Sequence, residues 1–149
     1  MAQYSFQIDE YLPGTEMGAL RRNDSHIAGT LIYPGTPLKL DVDSGKVVAW
    51  DTAGYADVPF YGIALRTSNM YNNYDSDADY YQVGEMVTVG LTNDTPVLTS
   101  VDVKVGQKVY IVAATGAFTN VALNNGNPIG SFRRSAAANT FVKIHFDQL

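Results

Sequence analysis

The chain has 149 residues, enough for one domain with a core of its own, and 10 lysines and arginines face 15 aspartates and glutamates. The charge of −5 and the absence of cysteine exclude a cationic nucleic-acid binder, a disulfide scaffold, a thiolate metal site and a cysteine nucleophile. No apolar run reaches the ~20 residues that cross a bilayer, so a soluble protein with no membrane partner is expected.

Ten tyrosines, six phenylalanines and many Val, Thr and Ile residues suit pleated, half-buried surfaces. Thirteen glycines and six prolines interrupt the chain at the short spacing of a β-sandwich or barrel. The start, MAQYSFQIDEYLPG, has neither the basic flank nor the apolar run of a secretory signal. Residues 1–28 are read as an extended N-terminal arm and 29–149 as the β-domain. Tyr4, Phe6, Ile8, Tyr11, Leu12, Met17 and Leu20 are more apolar groups than a solvated tail carries. The arm is therefore expected to lie against its own domain or a neighbour.

From Gly29 onward, TLIYPG is a short strand closed by Pro34-Gly35, and TPLKLDV alternates with Leu38, Leu40 and Val42 on one face. DSGK is a hairpin turn in which Gly45 takes a positive φ. KVVAW returns, TAGYADVP is a loop, and FYGIALRT is a strand. Residues 68–82 read as a polar, tyrosine-rich loop. EMVTVGL alternates, with Val87, Val89 and Leu91 together and Met86 opposed. VDVKVGQKVYIVA, GAFTNVAL, NPIGSFRR and NTFVKIHFDQL supply the remaining strands. No segment sustains a 3.6-residue period, so the fold class is all-β.

Moving the chain along by 71 residues lays Leu38 on Val109, Leu40 on Ile111, the turn glycine Gly45 on Gly116, and Val47 on Phe118. PFYGIALR then matches NPIGSFRR, with Gly62 opposite Gly130 and Arg66 opposite Arg134. Each copy ends in an alternating strand. Pseudo-repeats spanning about 31–91 and 102–146 point to a single-domain barrel or sandwich whose halves complete each other's core.

The order PGTPLKLDVDSGKVVAW, FYGIALR, VGEMVTVGL, VKVGQKVYIVAATGAFTNV, PIGSFRR, FVKIHF resembles the structural cement or decoration proteins of tailed-bacteriophage heads. The resemblance runs from Thr30 to Phe146 and is anchored by Gly35, Gly62, Gly84, Gly106, Gly116 and Gly130. It implies a non-enzymatic virion protein without cofactors, assembled in the host cytoplasm. It also implies that the protein binds the outside of the mature capsid through the major capsid protein and forms a homo-oligomer, dimer or trimer.

A catalytic set is not found. His26 lies in NDSHIAG, and His145 shares a strand face with Phe141 and Lys143 that is expected to meet solvent or a partner. Asp75, Asp77 and Asp79 have the spacing of the first calcium-loop ligands, but Tyr80 and Met86 stand where that loop needs Gly and Glu. The contact candidates are aromatic and arginine anchors: Tyr4, Phe6, Tyr11, Leu12, Arg21 and Arg22 on the arm, and Tyr71, Tyr74, Tyr80 and Tyr81 in the loop. Arg133-Arg134 places one guanidinium on each side of its strand. The alternative function is a carbohydrate-binding β-module, resting on Trp50 and the tyrosines as stacking faces; a packed Trp50 is the opposite reading.

Overall fold

A computed structural model of the protein describes residues 22–66, 71–72 and 79–147. These residues form eleven strands and no helix: β1 (Arg22–Ile27), β2 (Pro37–Leu40), β3 (Val47–Ala49), β4 (Gly62–Ala64), β5 (Tyr71–Asn72), β6 (Asp79–Tyr80), β7 (Met86–Leu98), β8 (Lys108–Ile111), β9 (Phe118–Thr119), β10 (Gly130–Phe132) and β11 (Phe141–Asp147). Nine of them make one curled antiparallel sheet in the order β3-β2-β4-β7-β11-β10-β8-β9, with β1 also paired to β7. Strands β5 and β6 form a separate ribbon. The alternation in sequence becomes alternation in burial: along β11, Val142, Ile144 and Phe146 point inward between exposed or half-buried neighbours.

Three details depart from the sequence reading. The boundary expected at residue 28 falls inside the sheet, because RNDSHI already pairs with Met86–Thr92 as β1. Apart from Ile27 its side chains are polar, and they are largely exposed, so the backbone ladder and the contacts of His26 hold it with little hydrophobic signature. Strand β7 runs on past Leu91 to Leu98, since Asn93 and Thr95 take inward, fully buried positions beside Val97. Pro96 is tolerated there because it pairs with Lys143 between hydrogen-bonded positions of the ladder. Val42 leaves the face of Leu38 and is 82% exposed, since the chain turns directly after β2, where the Gly45 N–H donates to the Asp41 carbonyl at 2.7 Å.

Each half of the sheet makes its bonds in the same pattern. Leu40 faces Val47, and Ile111 faces Phe118; Leu38 faces Gly62, and Val109 faces Gly130. The bridge Ile32–Tyr81 has its counterpart in Val103–Ala136, and Ala28–Val47 in Thr99–Phe118. The last two bridges bring each outer strand, β3 and β9, back against the chain just beyond β1 or β7. Both outer edges are thereby covered.

Two hydrophobic cores result. One gathers Ala28, Ile32, Leu38, Val47, Ala64, Tyr81, Val87 and Val89. The other includes Val103, Val109, Phe118, Phe132, Val142, Ile144 and Phe146. At one pair of corresponding positions the volumes are exchanged: Ala64 with Tyr81 in the first core, Phe132 with Ala136 in the second. Each core thus keeps one ring and one methyl, as close packing requires. Tyr81, expected at a partner contact, is instead 1% exposed and donates its hydroxyl to the Leu65 carbonyl at 2.5 Å. A buried phenol needs such an acceptor.

Strand crossings leave no room for a side chain at Gly62 and Gly130. A Cβ on Gly62 would overlap the Gly90 carbonyl, and one on Gly130 the His145 carbonyl. Backbone atoms cannot step aside as a flexible side-chain tip can. Gly130→Ala is expected to destabilise the fold by about 3 kcal/mol, the upper end of overpacking costs, measured by urea unfolding. A loss below about 0.5 kcal/mol, the scale of an ordinary surface substitution, would show that β10 and β11 can separate.

Candidate interface and groove

The junction of the two halves carries the most distinctive surface. Gly35 holds a φ of 82° at the Pro34 turn, and its N–H donates to the Ala64 carbonyl at 2.7 Å. That turn presents Pro34, Thr36 and Pro37 toward Leu98, Thr99, Ser100 and the Thr115–Phe118 hairpin of the other half. Between them lies a cavity of about 440 Å³, with Asn139 and Phe141 completing its wall. A second cavity of about 250 Å³ shares Thr36, Pro37, Thr115 and Gly116 with it and adds Leu31, Tyr33, Ala49, Trp50 and Asp51. The two adjoin along these shared residues and are taken together as the junction groove; among the described residues, Asp51 is the one charged side chain that lines it.

Trp50 closes the inner end. Its Nε1–H donates to the Ala113 carbonyl at 3.1 Å, across 63 residues of chain. Gly116 packs so closely that an added Cβ would stand 3.1 Å from Cδ1 of the indole. The Lys39 ammonium lies 4.3 Å from the ring centroid and donates to the Tyr55 carbonyl at 2.8 Å. Burial lowers the Lys39 pKa, against an upward pull from Asp57. With Lys39 over the ring, Gly116 against it and its N–H bonded to Ala113, the half-buried indole is held as a packing residue between the halves, which favours the packed reading of Trp50 over the sugar-stacking one.

A polar cluster anchors β1. His26 places Nδ1 2.9 Å from the Gly45 carbonyl, and its Nε2 meets Tyr61 Oη at 2.8 Å and the Asp24 carboxylate at 3.1 Å. The Ser25 N–H, with help from Tyr61 and His26 and against the cost of partial burial, holds the Asp24 carboxyl below its usual range. Burial and the neighbouring Asp24 push the Tyr61 phenol up. On the second half, His145 Nδ1 lies 2.5 Å from Asp94 Oδ1, and Lys143 Nζ lies 3.9 Å from Oδ2. Neither histidine lines the groove: His26 ties β1 to the Gly45 turn and to Tyr61, and His145 ties β11 to β7.

Of the contact candidates, Tyr4, Phe6, Tyr11, Leu12, Arg21 and Tyr74 lie outside the described residues, as do Asp75 and Asp77. Arg22 opens β1 opposite Thr92. Tyr71 pairs with Tyr80 in the β5–β6 ribbon. Tyr80 stands edge-on to Tyr33 at 6.0 Å, which sets it beside the groove, whereas Tyr81 is core. The groove residues Leu31, Tyr33 and Leu98 are not singled out by sequence, because Leu98 ends β7, far along the chain from the TLIYPG stretch that carries the other two. Comparing the repeats position by position would have flagged two of them: Leu31 and Tyr33 align with Asp102 and Lys104.

A family model described as Structural cement protein (E217 gp24/Pam3 gp6) matches residues 2–147. Among solved structures, a chain from the capsid of Myoviridae phage XM1 is similar with a TM-score of 0.65 and 15% identity, over 91% of this chain and 89% of that one. The head fibre gp8.5 N base of bacteriophage phi29 aligns with a TM-score of 0.49 and 13% identity, over 87% of this chain and 98% of that one. At 15% identity the XM1 likeness establishes a shared fold. No curated protein matches the chain.

Trp50 joins the halves through both its ring and its N–H, and two substitutions separate the contributions. Trp50→Phe keeps a ring beside Gly116 and is expected to cost about 1 kcal/mol for the lost hydrogen bond. Trp50→Ala should cost about 3 kcal/mol. Equal losses in chemical unfolding would show that packing against Gly116 contributes nothing.

Proposed function

The chain belongs to the phage structural cement protein family and is a virion structural protein that stabilises the capsid; from that premise we propose that it binds the outer surface of the mature head and ties neighbouring major capsid protein subunits together. The observation that carries this reading is the span of the family match, which takes in the N-terminal segment as well as the whole sheet. The recurring strand pairings support a second part of the proposal, that one five-strand unit is used twice to make a stiff, two-cored plug.

The mechanism is adhesion. A stable interface buries about 1,200–2,000 Å² in total, dominated by a few aromatic and arginine anchors. Among the described residues the anchors offered are Tyr80, half-buried in the β5–β6 ribbon beside the groove, and Arg22 at the start of β1. Tyr4, Phe6, Tyr11, Leu12, Arg21, Tyr71 and Tyr74 complete the set. Repetition over a symmetric shell multiplies modest contacts through effective concentration. No reaction is required of any residue. Contacts between copies of this chain belong to the same proposal.

Co-sedimentation of the purified chain with heads that lack it tests the reading. Saturable binding is expected, together with a higher temperature of DNA release from the decorated heads. Deleting residues 2–20 should leave the sheet folded and weaken binding at least tenfold. Failure of the full chain to sediment with heads, at any concentration that keeps it folded, would overturn the proposal.

A further inference from the structure

Of the large apolar side chains exposed among the described residues, Leu31 and Tyr33 (each 44% exposed), Leu98 (47%) and Phe141 (43%) gather at the junction of the halves, the first two lining the smaller cavity and the last two the larger. The corresponding surface of the other half keeps one exposed apolar side chain, Val105, and is otherwise more charged. Where the first half has Leu31, Tyr33 and Pro37, the second has Asp102, Lys104 and Lys108, all exposed. The halves share their core positions and part company here, so repetition of the fold does not account for the apolar groove. An apolar patch on a chain of charge −5 is the mark of a surface that is covered in use.

The N-terminal segment has the matching chemistry. Residues 1–8, MAQYSFQI, carry no charged side chain. Within them Tyr4, Phe6 and Ile8 alternate with Gln3, Ser5 and Gln7, the pattern of an extended strand with one apolar and one polar face. The groove, in which Asp51 is the one charged side chain among the described lining residues, would take the apolar face and leave the glutamines wet. From Ile8 to Arg22 there are 14 residues, which span up to about 50 Å when extended. That length lets residues 3–8 leave their own sheet and reach another.

We propose that the groove between Pro34–Pro37 and Leu98/Phe141 receives residues 3–8 of a second copy of this chain. Arm exchange links copies into a closed pair or ring, and this choice of a second copy rests on the cement reading, in which the protein works by joining surfaces.

The chain contains no cysteine, so single cysteines report the contact directly. Phe6→Cys chains and differently tagged Leu98→Cys chains are mixed, oxidised and run without reductant. A mixed-tag covalent dimer is the expected product. Replacing Leu98→Cys with Val42→Cys, which is 82% exposed and off the groove, should lower its yield at least tenfold. Equal yields from both positions would overturn the proposal, as would no mixed dimer at all. Placing both cysteines in one chain tests the other occupant: thiols lost at monomer mass would assign the groove to the chain's own arm and overturn the second-copy assignment. In light scattering, Leu98→Asp should weaken self-association at least tenfold with an unchanged melting temperature; unchanged self-association counts against the groove. Head binding is read separately. A mixed dimer from chains that do not bind heads would uphold the groove and defeat the cement reading, and head binding without the mixed dimer would do the reverse.

Discussion

Strand β7 is the constraint on which the rest of the fold depends. Its 13 residues are long enough to serve both cores, with Val87 and Val89 in the first and Val97 in the second. At its middle, a Cβ on Gly90 would stand 3.0 Å from the Phe146 ring and 3.2 Å from Leu65. The absence of a side chain there lets the two cores approach across one strand. Strands β1 and β11 pair with successive stretches of β7, meeting at Thr92. Moving any one of them out of register would carry its inward residues to the wrong face.

Two small cores behave differently from one large one. Each half covers its own outer edge through a backbone bridge, Ala28 to Val47 and Thr99 to Phe118, so little ladder is left open to pair with foreign strands. The exchange of ring and methyl between Ala64/Tyr81 and Phe132/Ala136 shows volume being held constant where identity is not. Trp50, hydrogen-bonded to Ala113 and packed on Gly116, adds a link between halves that β7 alone would leave hinged. Stiffness of this kind suits a protein whose task is to resist deformation of a shell.

The surface divides along the same line as the function. Charge is spread over turns and edges, where it favours solubility, while the junction groove is nearly free of it. The proposed clamping would use both: a solvated exterior that keeps unassembled copies apart, and an apolar junction to receive a partner. Both histidines serve as ties between segments, His26 to Gly45 and Tyr61, His145 to Asp94, in keeping with a structural family.

Much of the architecture can be read from local pattern, because hairpin glycines and two-residue alternation act within a few neighbouring residues. Gly45 and Gly116, with φ of 74° and 78°, mark their turns, and β2, β8 and β11 follow from alternating Leu, Val and Ile. The same rule hid the second part of β7, whose inward Asn93 and Thr95 are polar, and β1, whose sequence RNDSHI has no apolar face. Tyr81 carries the signature of a contact residue and is buried, because its hydroxyl finds the Leu65 carbonyl only after folding. The groove lay furthest from view. Its walls come from positions as distant as Leu31 and Phe141, and such a juxtaposition exists only once strand pairing has brought both halves onto β7. Local chemistry determined which segments extend and where they turn; long-range pairing alone decided which exposed apolar groups stand together.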